Sequence, residues 1–204
     1  MRLSVPRIAP LELDRLTPEQ AAALAPVRDG KLGALNIFRT LAHAPKALTR
    51  FLEWGSYVLS KRNALPERER ELAILRTGWN CGAGYEWTQH HAIGLEAGLS
   101  EAEIEAIKAG PAAPGWSPLD AAILTACDEL TRDHFVSDAA WAALAELGDK
   151  GRMDLVFTVG QYTQVSMMLN SFGVQLDPGQ TLDPAFDRRR LPGTRQPGRI
   201  DPPS

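Results

Sequence analysis

The sequence has little that would suit a secreted, membrane-spanning or nucleic-acid-binding protein. Its 204 residues contain two cysteines, Cys81 and Cys127, which are too few for a disulfide framework and are typical of a reducing compartment. No apolar run resembles a signal peptide or approaches the length of a membrane span. The net charge of -3 provides no broad positive field for nucleic acid or anionic lipid. We therefore expect a soluble cytoplasmic protein without a nucleic-acid or membrane partner.

Strand patterns are also nearly absent from the sequence. Alternating runs of β-branched residues are missing, whereas Ala, Leu, Glu and Arg recur at helical spacing. Capping residues and prolines mark several helix starts, namely Thr17, Pro45, Ser100 and Ser117. These patterns predict an all-α fold.

The chain divides into three parts by composition. We expect an N-terminal extension (1–16), one helical domain (17–186) and a tail (187–204). The tail holds five arginines, two aspartates and few apolar residues, so burial cannot offset the entropy lost on ordering it. We expect it to be disordered or packed on a partner subunit. The segment 150–174 is a helix that is apolar on most faces, which favours a core centre or a homo-oligomer interface in a dimer, trimer or hexamer.

Candidate catalytic residues cluster between 68 and 91. On a helix beginning near Tyr85, Glu86 and His90 are four residues apart and share a face. A carboxylate beside an imidazole favours the charged ring and orients it, as in general acid/base pairs. If Gly82 and Gly84 fold this helix back on the preceding one, Glu71 can approach His90 as well.

The same residues are also compatible with structural roles. The charged run 68–71 is typical of a solvated, salt-bridged helix face, and a single histidine on an amphipathic helix is usually structural. Cys81 can be an apolar filler, and Tyr85 and Trp87 can be packing residues. A metal site is not expected, because Glu86 and His90 supply two ligands where three or four are needed.

The string "RERELAILRTGWNCGAGYEWTQHHAIGLEAGLSEAEIEAI" resembles the carboxymuconolactone decarboxylase family, whose fold is the all-helical, AhpD-like bundle. The resemblance is strongest over residues 66–107. It extends weakly through "DAAILTACDEL" to "MDLVFTVGQYTQVSMMLNSFGV", so it covers about two thirds of the chain. It implies an AhpD-like helical domain, oligomeric, with a Tyr-Glu-Trp-x-x-His string in place of the redox motif.

The alignment of this sequence with the family's catalytic positions decides which family chemistry is expected. Alkylhydroperoxidase relatives carry a glutamate, a cysteine twelve residues on, a second cysteine three later and a histidine four after that. Glu71 and His90 occupy the outer positions, but the two cysteine positions fall on Ala83 and Glu86. Cys81 is two residues out of register. Since alanine and glutamate cannot form a thiolate or resolve a sulfenic acid, the disulfide-relay activity is not implied.

The resemblance then implies a cofactor-independent decarboxylase, or a related lyase or isomerase, acting on a small carboxylated lactone or aromatic-derived metabolite. In this interpretation His90 is the acid/base, Glu86 and Glu71 tune or orient it, and Tyr85 is a possible hydroxyl donor. Arg70 and Arg76 are the nearest cationic candidates for the substrate. The substrate-binding candidates are Trp87, Cys81, Arg76, Gln161 and Tyr162, with Asn170 as a further pocket residue.

Two other functions stay open on the sequence. One is a peroxidase that uses Cys81 alone with an external thiol. The other is an oligomer that binds a small molecule without catalysis and has kept the fold but lost the chemistry. The first predicts peroxide consumption that depends on Cys81, and the second predicts that His90 is dispensable.

Overall fold

The computed structural model describes residues 3–28 and 35–188, and within these ranges the chain forms helices and no strand. This confirms the predicted all-α class. None of these helices combines the length and apolar character needed to cross a bilayer. The α-helices are α1 (Pro18–Arg28), α2 (Asn36–Leu41), α3 (Pro45–Val58), α4 (Glu67–Asn80), α5 (Gly84–Glu96), α6 (Glu101–Ala109), α7 (Pro118–Asp133), α8 (Asp138–Ala143), α9 (Gly148–Phe172) and α10 (Ala185–Arg188), with 3-10 turns at Leu13–Arg15 and Ala145–Leu147.

Local signals in the sequence set several of these boundaries. Thr17 and Gln20 exchange hydrogen bonds ahead of α1, and Ser100 and Glu103 form a capping box at α6. Pro45 occupies the start of α3, where its missing N–H costs no helical hydrogen bond. The predicted starts at these positions are therefore confirmed.

Helix α4 lies at the centre of the bundle and packs against α5, α6, α7 and α9. Its residues 70–78 are all buried, including Arg70 and Glu71. The interpretation of the charged run as a solvated helix face is therefore wrong for Arg70 and Glu71. Their charges must be offset inside the protein, because an isolated buried charge is strongly unfavourable.

Helix α9 is buried on one side only. Its inner side includes Tyr162, Val165 and Leu169 of the core, whereas Met153 is 52% exposed and Met167 is 60% exposed on the outer side. An exposed apolar helix side suits an interface with a second copy of the chain. The homo-oligomer stays a prediction.

Both ends of the described chain pack on the helices. The backbone N–H groups of Arg7 and Ile8 donate to the carbonyl of Phe172, so the N-terminal extension is attached to the end of α9. After α9 the chain crosses α5, where Asp177 accepts hydrogen bonds from Tyr85 and Gln89. The first two residues of the predicted tail (187–204) belong to α10, and the tail from residue 189 onward lies outside the described residues.

Candidate active site

A histidine held between two buried carboxylates forms the centre of the candidate site. His90 on α5 is 6% exposed, and its Nδ1 lies 2.6 Å from Oε2 of Glu71 on α4. Its Nε2 lies 3.0 Å from Oε1 of Glu86, one helical turn earlier on α5. The structure thus brings together the three side chains that the sequence placed in one cluster, and each carboxylate retains a second oxygen that can accept a proton.

The cluster favours the charged form of its histidine. Burial alone would lower the pKa of His90, but the negative charges of Glu71 and Glu86 and their hydrogen bonds outweigh it and raise that pKa to about 10. Both ring nitrogens then carry protons, and each can donate to a carboxylate. At neutral pH the cluster is an imidazolium between two carboxylates, so His90 is poised to give up a proton rather than to take one.

A close approach of two helices makes room for Glu86. A Cβ atom at residue 78 would lie 3.3 Å from Cγ of Glu86, so Gly78 on α4 lets α5 pack tightly at this point. The turn between the helices includes Gly82 with a φ of 63°, a left-handed conformation that glycine adopts at little cost. The predicted fold-back of α5 on α4 is present, and it is what carries Glu71 to His90.

Tyr162 on α9 covers the other side of the imidazole. Its ring stands edge-on to the His90 ring, with 5.0 Å between centroids. Burial and the charges of Glu86 and Glu71 raise the pKa of Tyr162 well above its usual value, while the charge of Arg70 acts in the opposite direction. Tyr162 is therefore a neutral phenol that can donate a hydrogen bond in the cluster but cannot act as its base.

Two aromatic candidates face away from this cluster. The Tyr85 hydroxyl donates to Oδ2 of Asp177 at 2.6 Å, which attaches α5 to the segment after α9. Trp87 is buried against Trp79 and Phe186 on another side of α5. The structure thus gives Tyr85 and Trp87 packing contacts. Tyr162, rather than Tyr85, places a phenol beside His90.

The two arginine candidates differ in how they are neutralised. Arg76 makes two hydrogen bonds to Asp128, from Nε at 2.6 Å and from Nη2 at 2.8 Å, and a third to the carbonyl of Ile107. Arg70 is buried, and its Nη1 lies 3.5 Å from the carbonyl of Ser60. Arg70 makes no ion pair with any residue in 3–28 or 35–188, so its charge is the one that a bound anion can use.

We expect Arg76→Met to affect stability rather than substrate binding. Removing the guanidinium leaves the Asp128 carboxylate and the Ile107 carbonyl without their main donor, which should lower the free energy of unfolding by about 2–4 kcal/mol. Urea denaturation measures the change. The matched control is Arg132→Met, whose exposed pair with Asp133 should leave the free energy of unfolding nearly unchanged. If Arg76→Met had unchanged stability and weaker substrate binding, Arg76 would be a substrate-binding residue after all.

The remaining candidates lie around the cluster rather than in it. Cys81 ends α4, and its carbonyl accepts a hydrogen bond from Asn170 at 3.0 Å. Gln161 lines a cavity between α3 and α9. Asp177 was not indicated by the sequence, since it lies 92 residues from Tyr85 in a loop without a recognisable motif. Within the described ranges, His, Cys, Asp and Glu form no group of three or more that could hold a metal ion.

Comparisons with known proteins identify a family model that matches part of the chain and several structures of similar fold. The model of the carboxymuconolactone decarboxylase family matches residues 45–129, which include α3, α4, α5 and the Glu71–Glu86–His90 cluster. A search of curated proteins finds no match for the chain.

Several solved structures share the fold. An uncharacterized peroxidase-related protein from Ralstonia eutropha JMP134, described as an alkylhydroperoxidase AhpD core, is 22% identical with a TM-score of 0.72, over 84% of this chain and 93% of its own. An uncharacterized peroxidase-related protein from Silicibacter sp. TM1040 is 14% identical with a TM-score of 0.71, over 87% and 92%.

A third similar structure is the debrominase Bmp8 with 2,3,4-tribromopyrrole, which is 10% identical with a TM-score of 0.70, over 84% of this chain and 91% of its own. At these identities the structural matches establish the fold, and the family model identifies the segment that carries the cluster. Residues 45–129 of this chain match the model of the carboxymuconolactone decarboxylase family, and the fold around them is AhpD-like.

Proposed function

We propose that the chain is a cofactor-independent lyase that decarboxylates a small carboxylated lactone or aromatic-derived metabolite. The observation that carries the proposal is the buried His90 ring between Glu71 and Glu86, whose negative charges raise its pKa to about 10. This group holds a proton at neutral pH in a site from which water is largely excluded. Protonation of a carbanion requires such a donor.

The proposed reaction needs one proton and no electron acceptor. The bond between the substrate carboxylate and its carbon breaks, carbon dioxide leaves, and the electron pair stays on the carbon. An N–H proton of His90 then moves to that carbon, and the neutral imidazole regains a proton from water. Arg70 and the Tyr162 hydroxyl are the donors that can stabilise the negative charge as it develops.

The test is an assay of carbon dioxide release, together with loss of ultraviolet absorbance, on carboxymuconolactone-type substrates. Peroxide consumption is measured in parallel on the same preparation. Release of carbon dioxide without peroxide consumption supports the lyase. Peroxide consumption without carbon dioxide release contradicts it and favours the second candidate below.

A single-cysteine peroxidase is the second candidate, and one structural difference between the cysteines favours Cys81 for it. Cys127 is fully buried, and burial followed by the charge of Asp128 raises its pKa to about 12, so it is a poor thiolate. Cys81 is partly exposed at the end of α4. In this candidate the Cys81 thiolate attacks the peroxide, and an external thiol reduces the sulfenic acid.

Cys81→Ser separates the two candidates. For the lyase, we expect carbon dioxide release to stay within about twofold of wild type, because no step uses the thiol and serine is nearly the same size. For the peroxidase, peroxide consumption should disappear. Cys127→Ser is the control, because a buried thiol should not support either activity.

A further inference from the structure

A cavity beside α9 has the features of a small-molecule site. It lies between α2, α3 and α9, has a volume of about 510 Å³, and is partly open to solvent. Pockets that bind small molecules typically occupy about 300–1,000 Å³. The lining is mostly apolar and includes three aromatic side chains, from Phe51, Trp54 and Phe172.

Two buried residues that line this cavity, Thr40 and Gln161, have side chains that make no hydrogen bond to any residue in 3–28 or 35–188. Gln161 is 6% exposed. On α3, a Cβ atom built at Gly55 would lie 4.0 Å from Nε2 of Gln161. The Gln161 amide can therefore both donate a hydrogen bond to a bound molecule and accept one from it.

The charged residues of the lining restrict what can bind there. Arg50 is paired with Glu53 at 2.7 Å, and Nε2 of His43 lies 2.9 Å from the carbonyl of Ala9. Both side chains already have partners, so an anion in the cavity would lose its hydration without gaining a free cation. An uncharged ligand is favoured.

From these observations we infer that the cavity between α2, α3 and α9 binds an uncharged aromatic molecule whose single hydroxyl or carbonyl group hydrogen-bonds to Gln161. The aromatic rings of Phe51, Trp54 and Phe172 supply apolar surface and ring contacts. The Gln161 amide fixes the orientation of the ligand. This site is separate from the proposed lyase chemistry, since none of the residues in the His90 cluster lines the cavity.

Calorimetric titration with three matched probes tests the inference on the full chain. The probes are 4-ethylphenol, ethylbenzene, which lacks the hydroxyl, and 4-ethylbenzoate, which carries a negative charge. We expect 4-ethylphenol to bind most tightly, ethylbenzene about three- to tenfold more weakly, and 4-ethylbenzoate least. Tightest binding of the benzoate, or no binding of the phenol, overturns the inference.

Two substitutions locate the binding. Gln161→Leu keeps the bulk but removes the amide, so the preference for 4-ethylphenol over ethylbenzene should disappear. Ala47→Trp places a large ring at the exposed mouth of the cavity and should abolish binding of both probes. Its matched control is Ala139→Trp, on the exposed side of α8, which should bind both probes normally.

The test is independent of the lyase proposal. His90→Gln should bind 4-ethylphenol as wild type does, whether or not the chain releases carbon dioxide. If Ala47→Trp leaves binding unchanged, or changes only the oligomeric state, the cavity is not the site and the inference is wrong.

Discussion

Substitution of His90 by glutamine is expected to lower kcat for carbon dioxide release by about 100-fold or more. Glutamine retains hydrogen-bonding groups near Glu71 and Glu86 but cannot hold a transferable proton, and a positioned acid/base typically contributes a factor of about 10²–10⁴. KM should change less, because His90 acts mainly in the transition state. Steady-state kinetics on the carboxymuconolactone-type substrate measures both constants.

The neighbouring histidine provides the control. His91 is partly exposed, and its Nε2 pairs with Glu101 at 3.1 Å, so His91→Gln should keep kcat within about twofold of wild type. Circular dichroism and thermal melting must show that His90→Gln is folded, since the change leaves two buried carboxylates without their cation. A folded His90→Gln variant with full activity would show that His90 is not the proton donor, and the proposed mechanism would be wrong.

The sequence predicted the local part of this site well. The four-residue interval between Glu86 and His90 fixes their contact as soon as α5 is a helix, since helical geometry determines which residues share a face. The contact of Glu71 with His90 depended on two adjacent helices folding back at glycines, which is also a local event. Turns and caps of this kind can be predicted from the sequence because the residues that form them are close together in the chain.

Contacts between distant segments were not predictable in the same way. Arg70 and Arg76 look equivalent on α4, but Arg76 meets Asp128, which lies 52 residues further on, while Arg70 makes no ion pair within the described ranges. Likewise, Asp177 accepts a hydrogen bond from the Tyr85 hydroxyl, although the two residues are far apart in sequence. Tertiary packing determines which arginine is paired with a carboxylate. Hydropathy also cannot show that the charged residues of α4 lie inside the bundle.

Substitution of Glu71 by glutamine is expected to move the alkaline limit of activity to lower pH. The negative charge of Glu71 is one of the causes that raise the pKa of His90 to about 10, so its removal should lower that pKa. An opposite charge in contact typically shifts a pKa by about 1–3 units. The pH at which kcat falls on the alkaline side should decrease by about the same amount, which a pH profile of kcat measures.

The same substitution should change how stability depends on pH. In wild type the folded-state pKa of His90 is raised above 6.5, so its contribution is fully present below about pH 6.5 and is lost as pH rises towards about 10. Over that window the native state holds the extra proton, and the free energy of unfolding should fall with a slope of up to about 1.4 kcal/mol per pH unit. In Glu71→Gln this slope should end at a lower pH, and stability at pH 7 should decrease by about 2–4 kcal/mol.

Glu101→Gln provides the control for Glu71→Gln. Glu101 pairs with the partly exposed His91, so its removal should leave the alkaline limit of kcat and the pH dependence of unfolding close to wild type. A Glu71→Gln variant with an unshifted alkaline limit would mean that His90 does not supply the proton. If the stability profile shifted while the activity profile did not, the carboxylate and imidazole cluster would be a structural charge network, and the proton donor would have to be sought at Tyr162 or Glu86.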